Sequence, residues 1–346
     1  MQKRRELTAT GSDRGTDVSV SSYSRTPILV GPARVRNIMI AFVLALVAGI
    51  GLAFLLDYLD DTVKSLDDID RYIHLPALAL IPSVRSEKRL RGAEAPKPSE
   101  TTALAMVTDG RSPIAESYRH LRTSLLLSSA GTPPKTILVT SSQPSEGKTT
   151  TAINTAFMLA QTGADVLIID CDLRRPRLHA HFNLPNTQGL TTCLAGESDV
   201  EGLLKTYDKL PKLKLLTSGP IPPNPAELLG SEEMRRLLSS LSEKFTHIIV
   251  DSPPAISFTD ASILSTFVDG VILVVHGGRS SRAVVRRAKQ QLLDVGAHIF
   301  GVVLNNVKLE SHDSYYYAGY YSGYYKSDEY SDEEEAAKQN APATSN

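Results

Sequence analysis

Thr136-Ile-Leu-Val-Thr-Ser-Ser-Gln-Pro-Ser-Glu-Gly-Lys-Thr-Thr150 opens as a β-branched apolar run, passes through a polar turn and leads into the apolar-periodic stretch Ala152–Leu159. That order reads as buried parallel strand, loop and helix. Gly147, Lys148 and Thr149 fit the end of the pattern G-x-x-x-x-G-K-[ST], with Ser142 where the first glycine usually stands. In such a loop the glycine lets successive backbone N–H groups face a phosphate, and the helix N-terminus adds its dipole. Ser145, Glu146, Gly147, Lys148, Thr149 and Thr150 are therefore the expected nucleotide-binding residues. Lys148 is placed to bridge the β and γ phosphates of ATP, and the Thr149 hydroxyl to ligate Mg²⁺.

Outward from this loop, two more apolar runs end in acids. Asp165-Val-Leu-Ile-Ile169 closes with Asp170-Cys-Asp-Leu-Arg174, and His247-Ile-Ile-Val250 closes with Asp251-Ser-Pro-Pro254. Period-two alternation sets Asp170 and Asp172 on one side of the chain at the carboxyl end of a strand, where ligands bind in open α/β sheets. Asp251 stands as a carboxylate that orients Mg²⁺ through water. Lys148, Asp170, Asp172 and Asp251 are the expected catalytic set, and Thr149, Asp170 and Asp251 the expected metal set. Residues alone do not rank Asp170 against Asp172 as the base.

Ser142-Gln-Pro-Ser-Glu-Gly-Lys-Thr149, Asp170-x-Asp172-x-Arg174 and Asp251-x-Pro253-Pro254 resemble the Walker A, A′ and B motifs of the bacterial tyrosine kinases of capsule and exopolysaccharide synthesis. Glu116-x-x-Arg119-x-x-Arg122, Gly219-x-x-Pro222-Pro-Asn-Pro-x-Glu227-Leu-Leu229 and Gly301-Val-Val-Leu-Asn305 extend the resemblance. It implies an α/β fold: a doubly wound, mainly parallel sheet of the deviant P-loop type, with strands near Thr136, Val166, Leu213, Ile248, Val271 and Phe300. It also implies Asp172 as base or near-base, Asp170 as its hydrogen-bonding or metal partner, and Asn305 against the nucleotide base. Asn305 is equally readable as a strand-end cap. Glu116, Arg119 and Arg122 would make subunit contacts in a homo-oligomeric ring, although Glu116 and Arg119 also suit an i, i+3 surface pair. Asp260 is a further acid near the third strand, and Arg174, Arg175 and Arg177 are placed for phosphate or for an acidic tail. The related partitioning ATPases of the ParA and MinD type carry a lysine where this chain has Gln143, which favours the kinase branch.

The tail carries the matching substrate. Tyr315, Tyr316, Tyr317, Tyr320, Tyr321, Tyr324, Tyr325 and Tyr330 are eight of the chain's 13 tyrosines, and no Leu, Ile, Val or Phe follows Leu309. Without apolar surface to offset roughly 1–2 kcal/mol of backbone entropy per residue, residues 311–346 are expected to be disordered, with their hydroxyls accessible. Phosphorylation would add about −1.5 to −2 charges at each, beside the acidic run Asp328–Glu335.

At the other end, Ile38–Leu56 holds no charged side chain and is long enough to cross a hydrocarbon core of about 30 Å. The expected division is an extracytoplasmic segment 1–36, a transmembrane helix 37–57, a juxtamembrane segment and linker 58–110, a kinase domain 111–310 and the tail 311–346. Arg25, Arg34 and Arg36 before the span would by charge alone set the N-terminus inside. The cytosolic supply of ATP decides the opposite: a single pass in the bacterial inner membrane, with kinase domain and tail cytoplasmic. Family members place this helix second of two around a periplasmic domain, so the sequence is expected to be a short, split or partial member. Expected partners are further copies of the chain, a tyrosine phosphatase, polysaccharide polymerase and export machinery, and the membrane. Net charge is −1 and no basic stripe carries aromatics, so nucleic acid is excluded. Cys171 and Cys193 suit a reducing compartment. The alternatives are a membrane-associated ATPase of the ParA or MinD type and a non-catalytic polysaccharide copolymerase scaffold.

Overall fold

The computed structural model describes residues 34–83, 112–128 and 131–308, which fall into two compact units divided after Asp60. The tail tyrosines, the N-terminal segment before Arg34 and most of the expected linker lie outside the described residues. In the first unit, helix α1 (Arg34–Tyr58) is 25 residues long. At 1.5 Å per residue it extends roughly 37 Å, and it is long and apolar enough to cross a membrane. It buries none of its own side chains.

The second unit is built on eight strands: β1 (Ala77–Pro82), β2 (Thr136–Ser141), β3 (Val166–Asp170), β4 (Lys205–Tyr207), β5 (Leu210–Leu216), β6 (His247–Asp251), β7 (Gly270–His276) and β8 (Ile299–Val307). They form one sheet in the order β1-β8-β7-β2-β6-β3-β5-β4. Every pairing is parallel except β4 with β5. The long helices are α2 (Pro113–Leu127), α3 (Lys148–Ala160), α4 (Glu232–Lys244) and α5 (Arg282–Asp294). The strands read as unbroken apolar runs because both faces are covered. Ile137 and Val139 point into a core with Tyr118, Leu121, Ile153 and Phe157 of α2 and α3, while Leu138 points into the opposite one with Met234, Leu238 and Leu241 of α4. Val285 and Ala288 of α5 pack with Leu273, Val302 and Leu304 in a third cluster.

The six expected strands are all present, and two more were not expected. The second unit begins at Asp61, not near 111, because the segment read as juxtamembrane supplies part of the sheet and core. Val63, Ile69 and Ile73 are buried under α5, and β1 pairs with β8 in parallel. The backbone of 61–63 is bonded to the α5 N-terminus, through Val63 N–H to the Ser280 carbonyl (2.9 Å), Gly278 N–H to the Val63 carbonyl (2.8 Å) and Arg282 N–H to the Asp61 carbonyl (2.8 Å). Gly301 is where β8 accepts this extra strand. A Cβ there would lie 2.3 Å from the Pro76 carbonyl oxygen and 2.8 Å from Leu78 Cγ.

Gly301→Ala is therefore expected to push β1 off the sheet edge and to destabilise the domain by about 1–3 kcal/mol, the usual scale of overpacking. Urea denaturation of the two proteins measures this, and an unchanged midpoint would mean that β1 adds no stability.

Candidate functional site

The site forms where β2, β3 and β6 end. β6 lies between β2 and β3, and the register sets Val139 opposite Asp251 and Asp170 opposite Asp251. Two carboxylates on neighbouring strands thus end side by side, both fully buried. The loop after β2 wraps them. Ser145 (φ 66°) and Gly147 (φ 96°) both adopt the left-handed conformation, which turns the intervening backbone before α3 starts at Lys148. For Ser145 this costs of order 1 kcal/mol, a strain that surrounding contacts must hold.

Those contacts converge on Glu146, itself buried. Its carboxylate accepts from the Ser142 hydroxyl (2.7 Å), the Gln143 N–H (2.8 Å) and the Ser280 hydroxyl, which reaches in from the turn after β7. Burial pushes its pKa up against the pull of Ser280, Gln143 and Ser142. Its backbone carbonyl accepts from Asn305 Nδ2 at 2.9 Å. A Cβ on Gly147 would sit 2.0 Å from that same nitrogen, so glycine is required here by space as well as by φ.

Lys148 Nζ lies 2.6 Å from Asp172 Oδ2 and 4.0 Å from Asp251 Oδ1. Burial alone would lower the lysine, but Asp251 and Asp172 outweigh it and hold the ammonium above its ordinary value. The Thr149 hydroxyl donates to Asp251 Oδ2 at 2.7 Å. Asp170 is ringed by backbone amides: Asp172 N–H on Oδ1 (3.2 Å), Arg177 N–H (3.2 Å) and Leu178 N–H (3.0 Å) on Oδ2. Burial and the neighbouring Asp251 push Asp170 up to about 8. Burial pushes Asp251 to about 6, against the opposing pull of Lys148 and Thr149. One ammonium faces three acidic side chains, so the site keeps an excess of acid over base.

That donor set fits a hard dication. Asp251 Oδ1 is buried with no hydrogen-bond partner among the described residues, beside the Thr149 hydroxyl, and oxygen ligands with bound phosphate are what Mg²⁺ prefers. Among the described residues no group of three or more His, Cys, Asp or Glu has metal-holding geometry. Asp170 is a poorer direct ligand than its sequence position suggests, because three amides already occupy its oxygens.

Three further groups of sequence-predicted residues are placed by the fold. Asn305 engages the loop backbone, and β8 runs past it to Val307, so it is not a strand-end cap. Arg174 forms a two-pronged bridge to the buried Asp260 (2.8 and 2.9 Å) and covers Phe258, with Cζ 4.1 Å from the ring centroid; it is not free for phosphate. On α2, Glu116 and Arg119 pair with each other at 2.5 Å, and Arg122 is half-buried. Glu146 was expected only as a member of the loop, and Ser280 was not expected at all. Its sequence surroundings, Gly277-Gly-Arg-Ser-Ser281, read as an ordinary turn.

The parallel sheet, the loop at its centre and the acids at two neighbouring strand ends define a P-loop nucleotide-binding domain. A family model described as an AAA domain matches residues 134–283. Tyrosine-protein kinase YwqD of Bacillus subtilis is 39% identical over 213 residues, covering 62% of this chain and 90% of that one. Tyrosine-protein kinase etk of Escherichia coli is 28% identical over 327 residues, covering 92% of this chain and 45% of that one. The solved kinase domain of the Escherichia coli tyrosine kinase ETK superposes with a TM-score of 0.65 at 29% identity, covering 72% of this chain and 96% of that one. The chain belongs to the bacterial tyrosine kinases.

The raised carboxylates fix the sign of a pH effect. Folded Asp170 and Asp251 hold protons to higher pH than the unfolded chain, whose aspartates titrate near 4. Between roughly pH 4 and 8 the folded state therefore binds more protons, so stability falls as pH rises through that window. The melting temperature of the metal-free protein is expected to drop from pH 5 to pH 8, and Asp170→Asn to flatten the slope. Calorimetry across this range checks both, and a slope of opposite sign would contradict the electrostatics described.

Proposed function

We propose that the chain transfers the γ-phosphoryl group of Mg·ATP to tyrosines of its own C-terminal cluster, chiefly between subunits, and so regulates polymerisation and export of a capsule or exopolysaccharide. The observation that carries the reading is Lys148 held on Asp172 beside Asp251, directly under a P-loop, in a chain whose tail concentrates its tyrosines.

The backbone amides of Ser145 to Thr150 cradle the phosphates. Lys148 turns from Asp172 to the β and γ phosphates, which frees Asp172 Oδ2 as an acceptor for the tyrosine proton. The phenol oxygen then bonds to the γ-phosphorus as the bridge to the β-phosphate breaks. ADP leaves, and the proton passes to Asp172. Thr149 and Asp251 would hold Mg²⁺, which would supply charge neutralisation at the transferring oxygens. Asp170 keeps the Asp172–Leu178 loop in place through its three amide bonds. Asn305 and Glu146 set the cradle's shape. The work asked of the protein is positioning and charge neutralisation, which this site supplies.

Helix α1 crosses the bacterial inner membrane once, with kinase domain and tail in the cytoplasm. Glu116, Arg119 and Arg122 on α2 join copies of the chain into a ring, where one tail enters a neighbouring site. Phosphorylation of Tyr315, Tyr316, Tyr317, Tyr320, Tyr321, Tyr324, Tyr325 and Tyr330 adds repelling charge and loosens that ring, and a tyrosine phosphatase restores it.

Phosphotyrosine mass spectrometry of the full chain with Mg·ATP is expected to find phosphate on the tail, and Lys148→Met to abolish it. Asp172→Asn is expected to lower kcat by about 10²-fold or more, the scale of a lost general base, with little change in KM for ATP. Nucleotide binding without any tyrosine phosphate in the unmodified chain would overturn the proposal.

A further inference from the structure

Three arginines follow Asp172, and the structure separates them. Arg174 is committed to Asp260 and Phe258. Arg175 and Arg177 are exposed, and among the described residues neither guanidinium has a carboxylate within ion-pair distance. Their backbones are nonetheless part of the site: Arg175 N–H donates to Asp172 Oδ1 at 3.0 Å and Arg177 N–H to Asp170 Oδ2 at 3.2 Å. Each side chain thus starts one residue's breadth from a carboxylate of the reaction centre while its charge stands in solvent. Exposed positive charge beside a binding site attracts and orients anionic ligands.

The chain holds one segment with the complementary charge. Tyr330 lies in Lys326-Ser-Asp-Glu-Tyr-Ser-Asp-Glu-Glu-Glu335, with two acids just before it and four shortly after. The other seven tail tyrosines lie among Gly, Ser and Ala, with Glu310 and Asp313 ahead of them and Asp328 and Glu329 behind, so only Tyr330 has an acid within two residues on both sides. From Lys308, the last described residue, to Tyr330 the chain is 22 residues, an extended reach of about 70 Å, ample for the same site or a neighbouring one. Guanidinium suits carboxylate through paired, parallel hydrogen bonds, and arginine remains charged at any working pH.

We infer that Arg175 and Arg177 form an acidic-peptide subsite that selects a tyrosine flanked by carboxylates, and that Tyr330 is its occupant. This rests on the kinase reading above and adds which tyrosine the site prefers. Pairs at an exposed lip are individually weak, so the selectivity is modest and falls with salt.

The test uses the full chain and three synthetic acceptors: residues 326–335, the same peptide with its acids changed to Ser, and one with them changed to Lys. The unmodified chain is expected to phosphorylate the acidic peptide with a kcat/KM about fivefold above the serine version, the ratio shrinking at high salt. Arg175→Glu with Arg177→Glu is expected to reverse the order in favour of the lysine-flanked peptide, expressed in the peptide's KM. KM for ATP, measured alongside, should move less than twofold. If the peptide ratio is the same in both proteins, or if the substitutions raise KM for ATP and leave the ratio alone, the two arginines serve nucleotide or solvent and the inference is wrong. If the unmodified chain phosphorylates none of the peptides and none of its own tyrosines while binding ATP, the kinase reading fails and takes the subsite with it. A reversed preference in the charge-reversed protein also demonstrates that it is folded and active.

Discussion

Asp170 and Asp251 are register partners at the ends of adjacent parallel strands, and this juxtaposition sets the terms for everything around it. Burial raises the proton affinity of both, and a neighbouring carboxylate adds to it, Asp251 for Asp170 and Asp172 for Asp251. The fold answers with three kinds of compensation. Lys148 supplies a cation, Thr149 a hydroxyl donor, and the loop after β3 a set of backbone amides. The amides are local to Asp170, but Lys148 and Thr149 reach Asp251 because β6 lies between β2 and β3, which brings the P-loop strand against the strand carrying Asp251. Strand order is therefore an electrostatic requirement as well as a topological one. The compensation is incomplete, and the residual negative charge is what makes the site receptive to a dication.

A second buried acid works differently. Glu146 is satisfied by side-chain hydroxyls and one amide, with no cation in contact among the described residues. Its role is mechanical: it ties Ser142, Gln143 and Ser280 to the loop at the point where Ser145 and Gly147 bend it. A buried, fully bonded network fixes geometry more firmly than an apolar contact, since breaking any member strands a desolvated group. Serine in place of the first glycine of the loop pattern makes sense in this light. Ser142 needs its hydroxyl to hold Glu146, and a glycine would leave the carboxylate one donor short.

What could be read from the sequence is what depends on neighbours in the chain. The run Thr136–Thr150 encodes strand, turn and helix within fifteen residues, and the acids at 170 and 251 stand at the ends of apolar runs that have no other reason to stop there. What could not be read depends on residues distant in sequence. Ser280 meets Glu146 across 134 positions and Asn305 meets it across 159. Ala77–Pro82 becomes a strand because β8 has a free edge with Gly301 open to it; the six residues alone also suit a linker ending in proline. Arg174 and Asp260 each carried a plausible functional reading until the fold placed them against each other. Their pairing is structural, and it is what leaves Arg175 and Arg177 as the charged groups at the lip.

The contact between Lys148 and Asp172 connects binding to chemistry. At 2.6 Å in a pocket that is nearly closed to solvent, ammonium and carboxylate satisfy each other, so the proposed base is occupied in the resting state. The carboxylate oxygen bonded to the lysine is not open to a tyrosine hydroxyl while that contact lasts. Phosphate oxygens compete for the same ammonium with more charge and better geometry, and when they win, Asp172 loses its partner. In the proposed reaction the base is thus unmasked by the arrival of the group to be transferred. A tyrosine that enters first finds Asp172 still paired, whereas one that enters after nucleotide finds it available. Productive transfer then favours nucleotide first and tail second, an order that follows from one ion pair and the burial around it.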